Sequence, residues 1–252
     1  MGNYAMTGGA TGIGAAIKQQ LLDDGHTVTI VDIKEADIEA DLSTAEGRAG
    51  AVTALQEKCA DGLDGFIACA GVASQAPTKL TTSLNYYGTV ELVEGVRDLV
   101  AKKQGNVILV SSNSAPMSSN EEYVTTLLEK DEAAALKMAD EIDGHQAYSG
   151  TKQAVARWMR HNVKEFTSRG IRINAIAPGY TETPMTKAVA DDPEYGPKIK
   201  AFLASIPMGR PGLPEDMAKA TKFLLSEESS FICGIVLFID GGHDAMLRPD
   251  QF

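Results

Sequence analysis

Cysteine is scarce in this chain: three in 252 residues, Cys59, Cys69 and Cys233, odd in number and without disulfide or metal spacing. They read as free thiols in the interior, which fits a reduced cytoplasm. The four histidines, His26, His145, His161 and His243, form no HExxH and pair with no CxxC, so zinc chemistry has no visible ligand set. No apolar run approaches the roughly 18 residues needed to span a bilayer, and the amino terminus lacks a basic segment followed by an apolar one. Residue 6 is Met6, not the Ser or Thr that an N-myristoylation signal at Gly2 requires. Positive charge is also short, 23 Lys and Arg against 34 Asp and Glu, for a net charge of -11. Such a surface repels phosphate backbones and anionic membranes, so neither nucleic acid nor membrane is an expected partner.

What is present is enough apolar residue, 44%, for a sizeable core. Short β-branched runs at 27–33, 65–70, 106–112, 171–179 and 234–242 alternate with helix-like segments at 44–60, 80–102, 147–169 and 214–226. That order predicts right-handed βαβ crossovers and one doubly wound α/β domain of Rossmann type over residues 1–252, its parallel sheet flanked by helices. Residues 119–143 do not fit the alternation. They open on a possible capping box, Ser119 with Glu122, and carry Val124, Leu127, Leu128, Ala135, Met138, Ala139 and Ile142 at helical spacing. An inserted helix or helical pair is expected there, either as a lid over a substrate pocket or as a packing appendage.

"TGGATGIG", Thr7 to Gly14, follows the first strand and opens a helix. Gly8, Gly12 and Gly14 permit a tight turn and close backbone approach to a pyrophosphate, with Thr11 and Ile13 in the same loop and the helix amino end facing the anion. Asp32 ends the second strand 18 residues beyond Gly14. A carboxylate there accepts from ribose hydroxyls and repels a 2'-phosphate, which favours NAD over NADP. The plainer alternative makes Asp32 a turn residue neutralised by Lys34. Asp41 and Leu42 are candidates to flank the adenine, although Asp41 would also serve to begin a turn.

In "HQAYSGTK", Tyr148 precedes Lys152 by four residues, one turn along the same helical face. The spacing alone is common in inert helices. The chain, however, carries "CAG" at 69–71, "LNYYG" at 84–88, "VSS" at 110–112, "NAIAPG" at 174–179 and "DGG" at 240–242 in addition to the glycine loop and the Tyr-Lys pair. In that order these motifs resemble the short-chain dehydrogenase/reductase family across nearly the whole chain. "ADLSTAEGR", the insertion, "TETPM" and the terminal "MLRPDQF" further resemble the bacterial 3α-hydroxysteroid dehydrogenase/carbonyl reductase subgroup.

The resemblance implies a catalytic set of Asn85, Ser112, Tyr148 and Lys152 and a cofactor cradle that includes Ala70 and Gly71. Pro178 and Gly179 would lie near the nicotinamide, with Thr181 or Thr183 bonding its carboxamide or the phosphates; turn formation is the plainer role for these threonines. Ser111 and Ser114 compete with Ser112 for the substrate oxygen. Tyr180, Met185 and the stretch "AVADDPEYGPKIKAFLASIPM" are expected to wall the substrate, with helical packing as the alternative. The implied substrate is a small alcohol or ketone, steroid or other bulky cyclic compound, and the implied assembly a homodimer or homotetramer. A reductase of another small carbonyl or a sugar alcohol, and a nucleotide sensor without catalysis, remain rivals. Two departures stand out: Cys69 replaces the family's usual asparagine, and Tyr148 follows Ser112 by 36 positions, a longer interval than the family commonly shows.

Overall fold

The alternating runs become seven parallel strands in a computed structural model that describes residues 1–184, 186–187 and 196–251. They are β1 (Asn3–Thr7), β2 (Thr27–Asp32), β3 (Ile38–Glu39), β4 (Gly65–Ala68), β5 (Asn106–Val110), β6 (Arg172–Pro178) and β7 (Val236–Ile239), in the order β3-β2-β1-β4-β5-β6-β7. Strand order reverses between β1 and β4. In a doubly wound sheet the crevice at that switch, beyond the strands' carboxyl ends, is where ligands bind.

Both faces of the sheet are covered, which explains why the strands read as nearly continuous apolar runs. Phe66, Val107 and Leu109 point into one core with Leu55, Val93, Trp158 and Met159; Ile67, Ile108 and Val110 point into the other with Ile17, Leu21, Met217 and Leu224. The first core is closed by α2 (Ala45–Lys58), α4 (Gly88–Ala101) and α7 (Gly144–Thr167), the second by α1 (Gly12–Asp23) and α9 (Pro214–Leu225). Further helices among the described residues are α3 (Thr78–Thr82), α5 (Glu121–Leu128), α6 (Glu132–Met138), α8 (Gly196–Ser205) and α10 (His243–Leu247).

Three local expectations need correction. The helix predicted over 80–102 is broken by a π-helical turn at Ser83–Tyr87, which breaks the register between α3 and α4 and contains Asn85. The helix expected from 147 begins at Gly144, because Asp143 caps it: Asp143 Oδ1 accepts from Gln146 N at 2.8 Å and Gln146 Oε1 accepts from Asp143 N at 3.3 Å. The Ser119–Glu122 box does not form; Asn120 caps α5 instead, accepting from Tyr123 N at 3.0 Å.

The insertion is the expected helical pair, α5 and α6. Its apolar face is buried at Val124, Leu127, Ala135 and Ala139. Polar stitches fasten it to the main body. The Arg48 side chain, only 1% exposed, reaches Glu91 on α4 and Glu132 on α6, both at 2.6 Å. Tyr123 on α5 meets the Thr82 hydroxyl at 2.7 Å, and since Thr82 donates to Thr78 O, Tyr123 is the donor. Arg157 on α7 pairs with Glu121 on α5.

Candidate active site

Beyond the carboxyl ends of β1, β2, β4, β5 and β6 lies a cleft of about 910 Å³. Gly8, Thr11, Gly12, Ile13, Gly14, Asp32, Asp41, Leu42, Ala70, Gly71, Ser112, Tyr148, Lys152, Pro178, Gly179, Tyr180, Thr181 and Thr183 all line it. Of the site residues expected from sequence, Asn85 stands behind the wall, fully buried, and Met185 lies outside the described residues.

At one end the loop between β1 and α1 forms a backbone cradle. Gly8 has φ of +76°, and a side chain there would strike the Ala70 backbone at 2.7 Å; one on Gly14 would fall 1.7 Å from Gly8 O. Only glycine lets the chain fold this tightly, leaving the amino end of α1 open to an anion. Thr183 closes over the loop, its methyl carbon 3.2 Å from where a Gly12 side chain would start.

Asp32 sits beside this cradle. Its carboxylate accepts from Ala10 N at 3.2 Å and Ile33 N at 2.8 Å, and it makes no ion pair with Lys34 or any other described residue. Carboxylate oxygens therefore keep acceptor capacity toward the cleft. Asp41 is held below the usual carboxylate range by hydrogen bonds from the Ser43 hydroxyl and Ser43 N. Among the described residues Lys152 is the only Lys or Arg on the cleft wall. The cradle, the free Asp32 acceptor and the absence of a basic group at that end fit a dinucleotide without a 2'-phosphate.

At the other end β5 and α7 are stitched together in both directions. Lys152 Nζ donates to Val110 O at 2.8 Å, and Ser111 Oγ donates to Lys152 O at 2.8 Å. That bond occupies Ser111 and leaves Ser112 and Ser114 at the cleft wall without it. The Ser112 Oγ accepts from Ser114 N and Ser114 Oγ, at 3.2 and 3.0 Å, which leaves its own hydrogen for the Tyr148 hydroxyl beside it or for a ligand oxygen. Lys152 Nζ lies 5.8 Å from the centre of the Tyr148 ring.

Burial acts on both members of this pair. It lowers Lys152 to about 8, partly offset by the nearby Cys69. It raises Tyr148 above its ordinary value, against a smaller opposite pull from a hydrogen bond with Ser112. Asn85 clamps the loop after β4: its Oδ1 accepts from Val72 N at 2.8 Å and its Nδ2 donates to Val72 O at 3.0 Å. The point where a Gly71 side chain would begin lies 2.9 Å from Asn85 Oδ1 and 3.6 Å from Lys152 Nζ, so the two face one small space.

Cys69 leaves no unpaired strand end, since Thr7 Oγ1 accepts from both Cys69 N and Ala70 N at 3.1 Å. Its thiol is pushed up to about 11 by burial and stays protonated. Among the described residues no three His, Cys, Asp or Glu side chains gather to hold a metal.

The insertion fits the second of its two alternatives, a packing appendage rather than a lid. None of residues 119–143 lines the cleft; α5 packs on α7, and α6 on α3 and the π-helical turn. The walls are Val72, Leu80, Leu84, Met117, Tyr180, Ile199 and Phe202, with His145 and His243. Ile199 and Phe202 fall within the stretch expected to form the wall. Leu80 and Leu84 share a turn's spacing just before Asn85, and His145 lies three residues before Tyr148, patterns that helical periodicity makes readable. His243 had no such signal.

Two family profiles together match nearly the whole chain: one described as short chain dehydrogenase over residues 3–126, the other as Enoyl-(Acyl carrier protein) reductase over residues 132–244. The chain belongs to the short-chain dehydrogenase/reductase family and is an oxidoreductase of that class. Within it, the chain is 39% identical to a 3-alpha-hydroxysteroid dehydrogenase/carbonyl reductase of Comamonas testosteroni, over 100% of both chains. A crystal structure of the 3-alpha-hydroxysteroid dehydrogenase from Pseudomonas sp. B-0831 complexed with NADH superposes with a TM-score of 0.95 and 42% identity, covering 99% of this chain and 100% of that one. A cis-4-hydroxycyclohexanecarboxylate dehydrogenase of Sinomonas cyclohexanicum is 31% identical over 96% of each chain.

Proposed function

We propose that the protein is an NAD(H)-dependent oxidoreductase that interconverts a secondary alcohol and a ketone, with a 3α-hydroxysteroid, a 3-ketosteroid or another bulky cyclic carbonyl compound as substrate. The observation that carries this reading is the single cleft in which the Gly8–Gly14 cradle and Asp32 meet Ser112, Tyr148 and Lys152 beside an apolar wall. Likeness to relatives named for steroid and cyclohexane substrates supports the bulky ring.

When bound, the nicotinamide accepts hydride from the alcohol carbon or returns it to the ketone carbon. Tyr148 takes the alcohol's hydroxyl proton in oxidation and gives a proton to the carbonyl oxygen in reduction. Ser112 turns its hydrogen to the same oxygen and so fixes it between the two reacting groups. Lys152, anchored on Val110 O, has further N–H donors for the nicotinamide ribose, and its charge favours the phenolate. Asn85 supports a water-linked proton path to Lys152 through the space beside Gly71. Gly8, Thr11, Gly12, Ile13 and Gly14 hold the pyrophosphate, Asp32 the adenosine ribose, and Asp41, Leu42 and Ala70 the adenine side. Pro178, Gly179, Thr181 and Thr183 border the nicotinamide. Tyr180 faces the substrate.

The proposed assembly is a homodimer or homotetramer. Among the described residues strand β7 is an edge of the sheet, and Phe231, Ile235, Met246 and Leu247 are exposed apolar residues just outside it and in α10. Sedimentation as a monomer at micromolar concentration would rule this out.

The deciding experiment offers purified protein NAD and NADP with 3α-hydroxysteroids, 3-ketosteroids and simple cyclic ketones. Turnover with NAD(H) and a preference for the steroids is expected. Tight NADH binding without turnover of any alcohol or ketone would point instead to a nucleotide sensor, and turnover confined to small carbonyls or sugar alcohols would overturn the substrate class.

A further inference from the structure

The end of the chain closes the substrate wall. Helix α8 presents Ile199 and Phe202, three residues apart, to the cleft. The Phe202 ring stands edge-on to the His243 ring, centroids 4.8 Å apart at 70°, and lies 6.2 Å from the Tyr180 ring. Just beyond α8, Ile206 is buried and Met208 N donates to Gly241 O at 3.1 Å, so the helix is docked on the turn that presents His243.

His243 is itself held from the catalytic side. It is 4% exposed, and its Nδ1 lies 3.5 Å from Asn113 Nδ2. An amide nitrogen only donates, so this contact requires an unprotonated Nδ1. Asn113 directly follows Ser112, is tied to β6 through its N–H to Pro178 O at 3.0 Å, and donates to Asp240 Oδ2 at 3.4 Å. One continuous set of contacts therefore runs from the residue beside Ser112 through His243 to Phe202.

We infer that His243 is a specificity-determining positioning residue: by seating Phe202 against the cleft, it sets how well a bulky ring is held while its oxygen lies at Ser112 and Tyr148. This rests on the alcohol/ketone reaction proposed above. A small ketone occupies only the reacting end. A fused-ring ketone extends to Phe202 and needs that ring in place.

The test compares a 3-ketosteroid with cyclohexanone in the wild type, His243→Ala, His243→Phe, Phe202→Ala and the double alanine variant, with NADH affinity read by fluorescence. His243→Ala is expected to raise the steroid KM roughly 3- to 10-fold, the range carried by an edge-to-face pair. The steroid kcat and NADH affinity should hold, and the cyclohexanone KM should move much less. His243→Phe keeps the ring stack and should restore the steroid KM. The double variant should be no worse than Phe202→Ala, as expected of two residues acting as a unit. Equal losses for both ketones, no loss for either, or additive losses in the double variant would overturn the inference alone. A wild type that reduces no ketone would overturn the reaction and the inference together.

Discussion

The cleft and the helical layer around the insertion use polar side chains in opposite ways. On the cleft side, Ser112 spends no hydrogen on the scaffold, Lys152 keeps N–H donors, and Asp32 keeps acceptor capacity after its internal bonds are counted. On the insertion side, Arg48 is spent on Glu91, Glu132 and Ser43 O, Tyr123 on Thr82, and Asn120 and Asp131 on caps of the insertion helices. Both regions are rich in buried polar groups. The difference lies in what the fold leaves unused: the outer groups fasten one helix layer to another, whereas the cleft groups are fixed through some of their donors and acceptors and open to the cleft through others. That contrast, rather than polarity itself, marks the candidate site.

The contrast breaks most sharply at Tyr148. Tyr148→Phe should lower kcat by about 10³-fold, within the range for loss of a general acid or base, with NADH affinity retained. Steady-state turnover beside a fluorescence titration checks both, and undiminished turnover would sink the mechanism.

On the outer side, Arg48→Ala removes the cation between two carboxylates and leaves a buried gap. It should cost about 2–3 kcal/mol of stability, less than a fully buried pair because Glu91 and Glu132 are 39% and 29% exposed. Thermal or denaturant unfolding measures this. Arg48 reaches the cleft wall through Ser43 O at the adenine end and not at the substrate end, so the steroid KM should stay within about twofold; a large change in KM would return the insertion to the substrate wall.

Asp32→Ala should lower the NAD/NADP preference at least about tenfold by removing the ribose acceptor and the charge that repels a 2'-phosphate. An unchanged ratio would count against that role.

The smallest effect is a slope with pH. Burial raises Tyr148, so the phenol is protonated near neutrality: reduction, which uses the acid form, should be nearly flat there. Oxidation uses the phenolate and should climb by up to about tenfold per pH unit. Above about 8 Lys152 loses its charge and its support for the phenolate, so the climb should flatten. Oxidation that slows between pH 6 and 8 would contradict this assignment.

Much of the fold was legible because strands buried on both faces read as short β-branched runs, and because the glycine loop and Asp32 lie at fixed distances from the first two strands. The π turn around Asn85 was not legible: "TKLTTSLNYYGTVEL" continues a helical pattern, and the bond from Asn85 to Val72 that accompanies the break comes from another segment. The insertion read as a helix or a helical pair, and it forms α5 and α6. Its position, lid or packing appendage, was left open by the sequence, since the apolar face of "EEYVTTLL" would suit a cleft as well as a neighbouring helix.

By itself the sequence determined the class of fold and the glycine loop between strand and helix, carried by local periodicity and short spacing, whereas the Tyr148–Lys152 pair drew its meaning from the ordered motifs of the family resemblance. The tertiary structure decided that Ser111 is occupied, where the insertion packs and that His243 reaches the cleft. Those depend on contacts between residues far apart in the chain, such as Ser111 with Lys152 and Asn113 with His243, which exist only once the parallel register brings the strand ends together.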